Sequence, residues 1–242
     1  MIMKVPYSAC LNLSGVDTLA LLERILTCRV DDLSVGETRM GALLTPQGKV
    51  IADFDLKRTE TGCQLQVHDD ICGMLEKRLK MFRLRANVEI SRIPIDPVCA
   101  TPAERIRAGL PIFGEDFDTA DVFPTDINLD QRGGIDYKKG CFIGQEVVSR
   151  MKRRGKIRKR TVSLLGQAGT LAKGDTVFAG EKRLGYITSA SENAALAILR
   201  IDHLASVIAE GAPLRTDQDT NLEAITPDWL KQEMEAFINA DT

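Results

Sequence analysis

Between residues 49 and 59 apolar and polar positions alternate with a period of two. Val50, Ala52, Phe54 and Leu56 fall on one face, and Asp53, Asp55 and Lys57 on the other. That pattern predicts a half-buried strand. Residues 38–44 read as its partner across Thr45-Pro46-Gln47-Gly48, a turn by composition. A third strand follows Glu60-Thr61-Gly62, with Cys63, Leu65 and Val67 inward and His68 on the solvated face. The period then lengthens. Ile71, Leu75, Leu79 and Phe82 recur at helical spacing behind Asp69-Asp70, and residues 87–93 return as a strand. Upstream, Leu19, Leu22 and Leu26 line one face of a helix that Ser14 or Asp17 would cap. Strands, a helix and a returning strand predict an α+β layer with a mostly antiparallel sheet.

Pro94, Pro97 and Pro102 mark a linker, giving a sub-boundary near 94–102, and a short helix is expected over 103–108. Residues 109–140 are rich in Gly, Asp and Pro and have weak periodicity. A loop of that length inside a compact domain is usually functional or disordered. This one leads into a cysteine motif, so it is expected to form a site. Beyond it, residues 145–154 are helix-compatible. After residue 160 the texture changes. Short apolar runs at 161–165, 176–178, 184–189, 195–201 and 212–216, broken by glycine-bearing turns, predict a small antiparallel β-barrel. Thr226-Pro227 starts a terminal helix over 228–238, with Trp229, Met234 and Phe237 available for docking. The chain thus divides into an α+β region over 1–160, a barrel over 161–225 and a helix over 226–242.

Composition excludes several classes. No run of 18 apolar residues exists among the 242, so no membrane-spanning helix is expected. The N-terminal stretch lacks the apolar segment of a secretory signal and the arginine-rich pattern of an organellar leader. The six cysteines show no C-x-x-C pair and there are only two histidines, so a zinc site is not expected. Scattered cysteines without an export signal point to free thiols in a reducing cytoplasm. The net charge of −2 conceals an asymmetry. Eight of the 32 basic residues lie between Arg150 and Arg160 with no acid among them, leaving 24 against 34 acids elsewhere. Such a strip favours an anionic partner such as a polyglutamate tail, a phosphate or a nucleic acid. It is also what a solvated surface helix and strand start would carry.

The densest chemistry sits at Lys139-Gly140-Cys141-Phe142-Ile143-Gly144-Gln145-Glu146. A thiol beside Lys138-Lys139 and just ahead of a helix start is favoured as thiolate by both positive fields. Two flanking glycines allow turns closed to other residues, and Glu146 and Arg150 stand at i,i+4 spacing. The alternative is a tight turn whose cysteine fills space.

This octapeptide, with Val147-Val148-Ser149-Arg150 and Arg154-Gly155 after it, resembles the hallmark of the YgfZ family. Those are folate-binding proteins related to the T-protein (aminomethyltransferase) of the glycine cleavage system. Arg105-Ile106-Arg107-Ala108-Gly109-Leu110-Pro111, Phe123-Pro124-Thr125-Asp126-Ile127-Asn128-Leu129 and Leu44-Thr45-Pro46-Gln47-Gly48-Lys49 are similar to stretches found in order in both groups. The resemblance spans most of residues 10–210. It implies an aminomethyltransferase-like folate-binding fold and a tetrahydrofolate-assisted role in building or repairing iron–sulfur clusters of other enzymes. Iron–sulfur assembly proteins or client enzymes would be its partners, with no permanently bound metal.

The resemblance also assigns residues. Asp126, with Asn128 beside it, stands where the T-protein's Pro-x-Glu supplies a pterin-binding carboxylate; read alone, an aspartate next to proline more often closes an Asx-turn. Lys139 would hold Cys141 as thiolate. Gly140, Phe142, Gly144, Gln145, Glu146, Arg150 and Arg154 complete the motif. The Asn-rich segment that carries the T-protein's transfer aspartate is not found, which weighs against aminomethyl transfer. A one-carbon transferase would have only Asp53 or Asp55 as its upstream acid. An RNA-binding module based on the 150–160 strip is disfavoured by an aromatic content of 5%.

Overall fold

The computed structural model describes residues 7–95, 101–155, 157–167 and 169–240. They form two compact units. One comprises residues 7–95 and 112–155; the other comprises 101–111 and 157–240. Pro97 and Cys99 lie outside the described residues, and with them most of the expected linker.

The first unit is built on a five-stranded antiparallel sheet. In chain order it contains β1 (Ala9–Ser14), α1 (Thr18–Ile25), β2 (Thr38–Leu44), β3 (Val50–Arg58), β4 (Gly62–Val67), α2 (Asp69–Arg83) and β5 (Glu89–Ile93). The strand order is β2-β3-β4-β1-β5. β1 is not expected from the sequence, yet it joins the sheet: Leu11 stands opposite Leu65 on one side and Arg92 on the other. Its Ala9, Leu11 and Leu13 alternate with Cys10, Asn12 and Ser14, a strand pattern too short to stand out. α1 and α2 bury Leu21, Leu22 and Ile25 and Ile71, Cys72, Leu75 and Leu79. Asp17 occupies the N-cap of α1 without a side-chain cap bond. Its carboxylate instead accepts the Asn87 N–H at 2.7 Å.

β3 departs from the half-buried pattern. Asp53 and Asp55 are buried along with the apolar positions. The cause is the 112–140 part of the following segment, which is ordered and pairs with the start of this strand. Val50 N donates to Val122 O at 2.9 Å and Ala120 N to Val50 O at 2.7 Å. His68 is likewise half-buried rather than solvated, with Phe113 near its ring.

The second unit opens with α3 (Pro102–Arg107), started by a complete capping box between Thr101 and Glu104. The chain returns to the first unit, which holds α4 (Gln145–Arg153). The second unit then continues with β6 (Lys159–Gly166), β7 (Thr176–Ala179), β8 (Lys182–Ser191), β9 (Ala194–Arg200), α5 (Ile201–Glu210), β10 (Leu214–Thr216), β11 (Asn221–Ile225) and α6 (Asp228–Ala240). The six strands close into a barrel, in the order β10-β11-β6-β9-β8-β7, around Leu164, Val177, Ile187, Ala197 and Leu199.

These units correct the expected division. Residues 101–111 belong with the barrel: Ser163 Oγ donates to Ile106 O at 2.6 Å, and buried Arg105 reaches Leu110 O and Ser189 Oγ at 2.8 and 3.1 Å. The terminal helix is not separate either. α6 buries Leu230 and Met234 in the barrel's own core. α5 and β11 are not expected from the sequence; the run 195–201 reads as strand to its end, but the chain turns helical at Ile201.

Candidate functional site

The octapeptide is seated by the segment just after α1. Thr27 Oγ1 donates to Gly134 O at 2.6 Å, and Asp136 N donates to Thr27 O at 2.9 Å. Asp136 in turn accepts the N–H groups of Lys138 (2.7 Å) and Lys139 (3.1 Å) and pairs with Arg29 at 3.0 Å. Burial would raise the Asp136 carboxyl, but those hydrogen bonds and the guanidinium outweigh it and hold it below its ordinary value.

Lys139 is the buried anchor. Its ammonium donates to Leu26 O at 3.0 Å and Cys28 O at 2.6 Å and pairs with Glu23 at 3.2 Å. The sequence suggests a lysine holding Cys141 as thiolate. The structure commits that charge to the carbonyls around Cys28, so Lys139 is a structural tie. Gln145 Nε2 closes the motif on itself by donating to Lys139 O at 3.4 Å, and Phe142 is buried beneath.

Of the two glycines, only Gly144 is demanded by geometry. It has φ +80°, and a Cβ there would lie 2.6 Å from Thr45 O and 3.0 Å from Gly48 Cα. The motif therefore lies flat against the 45–48 turn. Gly140 has ordinary backbone and open space around it, contrary to its expected special turn. α4 starts directly after Gly144. Glu146 and Arg150 form the expected ion pair on its exposed face, and Lys152 lies over the Tyr137 ring at 4.2 Å.

The 150–160 strip is divided between the two units. Arg150, Lys152, Arg153 and Arg154 are exposed at the end of α4 in the first unit. Arg158 and Lys159 belong to the second unit, and Arg160 is fully buried there. Lys156 lies outside the described residues.

Cys141 is exposed, whereas Cys10, Cys28, Cys63 and Cys72 are buried free thiols. Burial pushes Cys10 and Cys63 up to about 11 and Cys28 up to about 12, and raises Cys72 as well. Iodoacetamide near neutral pH should accordingly modify Cys141 well before these four, because thiolate and access are both required. Peptide mass spectrometry over time checks this; equal labelling of Cys28 would contradict it.

Asp126 and Asn128 are buried together in a chain of tight turns. Asp126 N donates to Phe123 O, and the Asp126 carboxylate accepts Phe123 N, both at 2.9 Å. Asn128 holds a left-handed φ of +58° and donates its N–H to Thr125 O at 3.1 Å. The aspartate thus closes its own turn, as the alternative reading has it.

A pair that the sequence does not disclose lies at the sheet. The Tyr7 hydroxyl donates to Asp53 Oδ2 at 3.1 Å in the buried interior. Burial raises the Asp53 carboxyl from its ordinary value, against the pull of Arg132 and the Tyr7 hydroxyl. Burial, then the charges of Asp53 and Asp55, push Tyr7 well above its ordinary value. Tyr7 gives no signal in sequence, and Asp53 stands out there only as a transferase acid.

Comparison with known proteins agrees with the fold. The family described as CAF17, C-terminal beta-barrel domain, matches residues 158–232. An iron-sulfur cluster assembly factor IBA57 homolog, mitochondrial, from Phaeosphaeria nodorum is 28% identical over 215 residues, covering 71% of this chain and 53% of that protein. A tRNA-modifying protein YgfZ from Enterobacter sp. is 42% identical over 66 residues, covering 27% and 20%. The chain is similar to the YgfZ and IBA57 proteins and has an aminomethyltransferase-like fold. This YgfZ-like chain spans about half the length of the fungal relatives it matches. Its fold is that of the glycine cleavage system aminomethyltransferase T from Bartonella henselae, with a TM-score of 0.75 at 15% identity over 93% of this chain and 84% of that one. Among the described residues no helix is long and apolar enough to cross a membrane.

Proposed function

We propose that this YgfZ-like protein is a tetrahydrofolate-binding accessory factor for assembly or repair of iron–sulfur clusters carried by other proteins, with Cys141 as its reactive group. The observation that carries the reading is an exposed thiol on a motif otherwise pinned by buried contacts, at Lys139, Phe142 and Gly144. Rigid seating presents one sulfur at a fixed place. One sulfur suits a transient ligand or redox partner; a resident cluster normally takes about four protein ligands. The names of the fungal relatives support the cluster role. Buried free thiols suit the reducing cytoplasm; the names of those relatives place them in mitochondria.

Asp126 fits the pterin. A buried carboxylate takes two parallel N–H donors, fixing orientation as well as affinity. Asn128 adjoins it, and the exposed cations of α4 would meet the glutamate tail. Folate, when bound, supplies one-carbon chemistry; the chain's own residues bind and orient it. Assembly proteins or cluster enzymes would be the macromolecular partners.

Calorimetric titration with tetrahydrofolate tests this. Asp126→Ala should lose about 1.5–3 kcal/mol of binding, the range for a charge-assisted bond. Asp126→Asn, which retains an acceptor for Phe123 N–H, should lose a comparable amount. Unchanged affinity in both variants would overturn the assignment. A second reading, folate-dependent one-carbon transfer, is favoured by the Tyr7–Asp53 pair, since a carboxyl that keeps its proton to higher pH suits proton transfer. One-carbon turnover by the purified protein would favour it over the first.

A further inference from the structure

Folding assembles a second basic cluster that the linear sequence does not display. β6, β8 and the junction of β9 with α5 bring together Arg158, Lys159, Lys182, Arg183 and Arg200, all within the barrel unit. Lys159 stands directly opposite Arg200 across the β6–β9 ladder. Like charges facing each other across strands are destabilising, so packing gives no reason for them. Lys182 and Arg200 are close enough to His203 to add to the lowering of its pKa, which burial dominates. Asp202 and Glu181 adjoin the cluster, and Asp175 and Asp217 lie beside Thr176, opposite Tyr186. Asp202 is occupied, by Arg200 at 2.9 and 2.5 Å and by Arg158 at 3.8 Å. Glu181 precedes Lys182 in the β7–β8 turn. The cluster keeps a positive excess, with Arg158 58% exposed and Lys159, Lys182 and Arg183 also at the surface.

An aromatic ring shares this outer face. Val177, Ala197 and Leu199 point into the core. Tyr186 stands opposite Thr176 and Ile198, and Arg183 opposite Phe178, positions that alternate with those core residues. Both side chains therefore face outward, and Tyr186 is 37% exposed.

We propose that this face of the barrel binds the backbone of a single-stranded nucleic acid, with Lys159 and Arg183 on phosphates, Lys182 reaching over from the exposed start of β8, where it stands opposite Ala179, and Tyr186 stacking on a base. Cations spread over three strands suit a linear polyanion, and a ring among them suits bases. The low aromatic content that speaks against nucleic acid in the sequence is answered by position: one ring at the right place is enough for one stack. The proposal goes beyond the folate and cluster reading and does not depend on it.

Fluorescence polarisation with a labelled single-stranded RNA of about 12 nucleotides, and with DNA of the same sequence, tests it on the full chain. Lys159→Ala/Lys182→Ala/Arg183→Ala should weaken binding at least about tenfold at low salt. The slope of log affinity against log salt should fall by about 2, near 0.7 for each phosphate no longer neutralised on a single strand. Tyr186→Ala should weaken binding severalfold with the slope unchanged, a pattern that removal of charge would not give. Lys152→Ala/Arg153→Ala on α4 should leave it within about twofold. RNA preferred over DNA, or both bound alike, each supports the site. Three results would overturn it: a triple variant that binds like the parent, weakening confined to the α4 variant, or competition by polyglutamate as effective as by RNA, which would point to an acidic protein. Tetrahydrofolate affinity of the triple variant should be unchanged, which separates failure here from failure of the cluster and folate reading.

Discussion

Glu233→Ala is expected to lower stability by about 3–5 kcal/mol, the range for removing one partner of a buried ion pair. Arg160 on β6 is 0% exposed, and its guanidinium grips Glu233 of α6 with two parallel bonds at 2.9 and 2.5 Å. The Trp229 ring lies 5.5 Å from the same guanidinium. Without the carboxylate, an always-charged group stays in the interior with its strongest partner gone. At about 2–4 °C per kcal/mol for a chain of this size, the melting temperature should fall on the order of 10 °C. Replacing both partners together, Arg160→Met with Glu233→Leu, should cost far less, because the desolvation cost leaves with the charge. Thermal unfolding of the parent, the single variant and the double variant checks both statements; a single variant that melts with the parent would contradict them.

Lys139→Met should cost about 2–4 kcal/mol. Methionine keeps the apolar stem but offers no donor. The carbonyls of Leu26 and Cys28 are left without their ammonium donor, and Glu23, which also accepts Val30 N at 2.6 Å, is left without its counter-ion. Urea unfolding measures the destabilisation. The same variant decides what this lysine does for the neighbouring thiol. If its charge is committed at Cys28, as the geometry has it, the alkylation rate of Cys141 stays within about twofold of the parent. A large fall in that rate with stability intact would restore the reading in which Lys139 activates the thiol.

Those two residues also mark where the sequence is legible and where it is not. Local period suffices to locate β2, β3, β4, α2 and most barrel strands. It fails where tertiary contact overrides period. Asp53 and Asp55 read as a solvent face, but the 112–140 segment covers them, and nothing local in residues 49–59 announces that cover. Arg160 looks like part of a basic surface run; its burial depends on Glu233, 73 residues away. Lys139 sits two positions from the cysteine, and adjacency suggests activation. Its long side chain reaches back to a segment more than a hundred residues earlier. The unit boundary fails for a similar reason. Residues 101–111 are bound to β6 and β8 by Arg105 and by Ser163, contacts that composition does not carry. The octapeptide is legible because its requirements are local: a glycine at Gly144 with positive φ, a helix start after it, and a cysteine left at the surface.

The most direct test concerns that cysteine. In cells lacking their own counterpart of this protein, the activity of an iron–sulfur enzyme should be restored by the parent chain and not by Cys141→Ser, with both proteins melting at the same temperature and binding tetrahydrofolate alike. Full restoration by the serine variant would contradict the role given to Cys141 and return the motif to a turn that fills space.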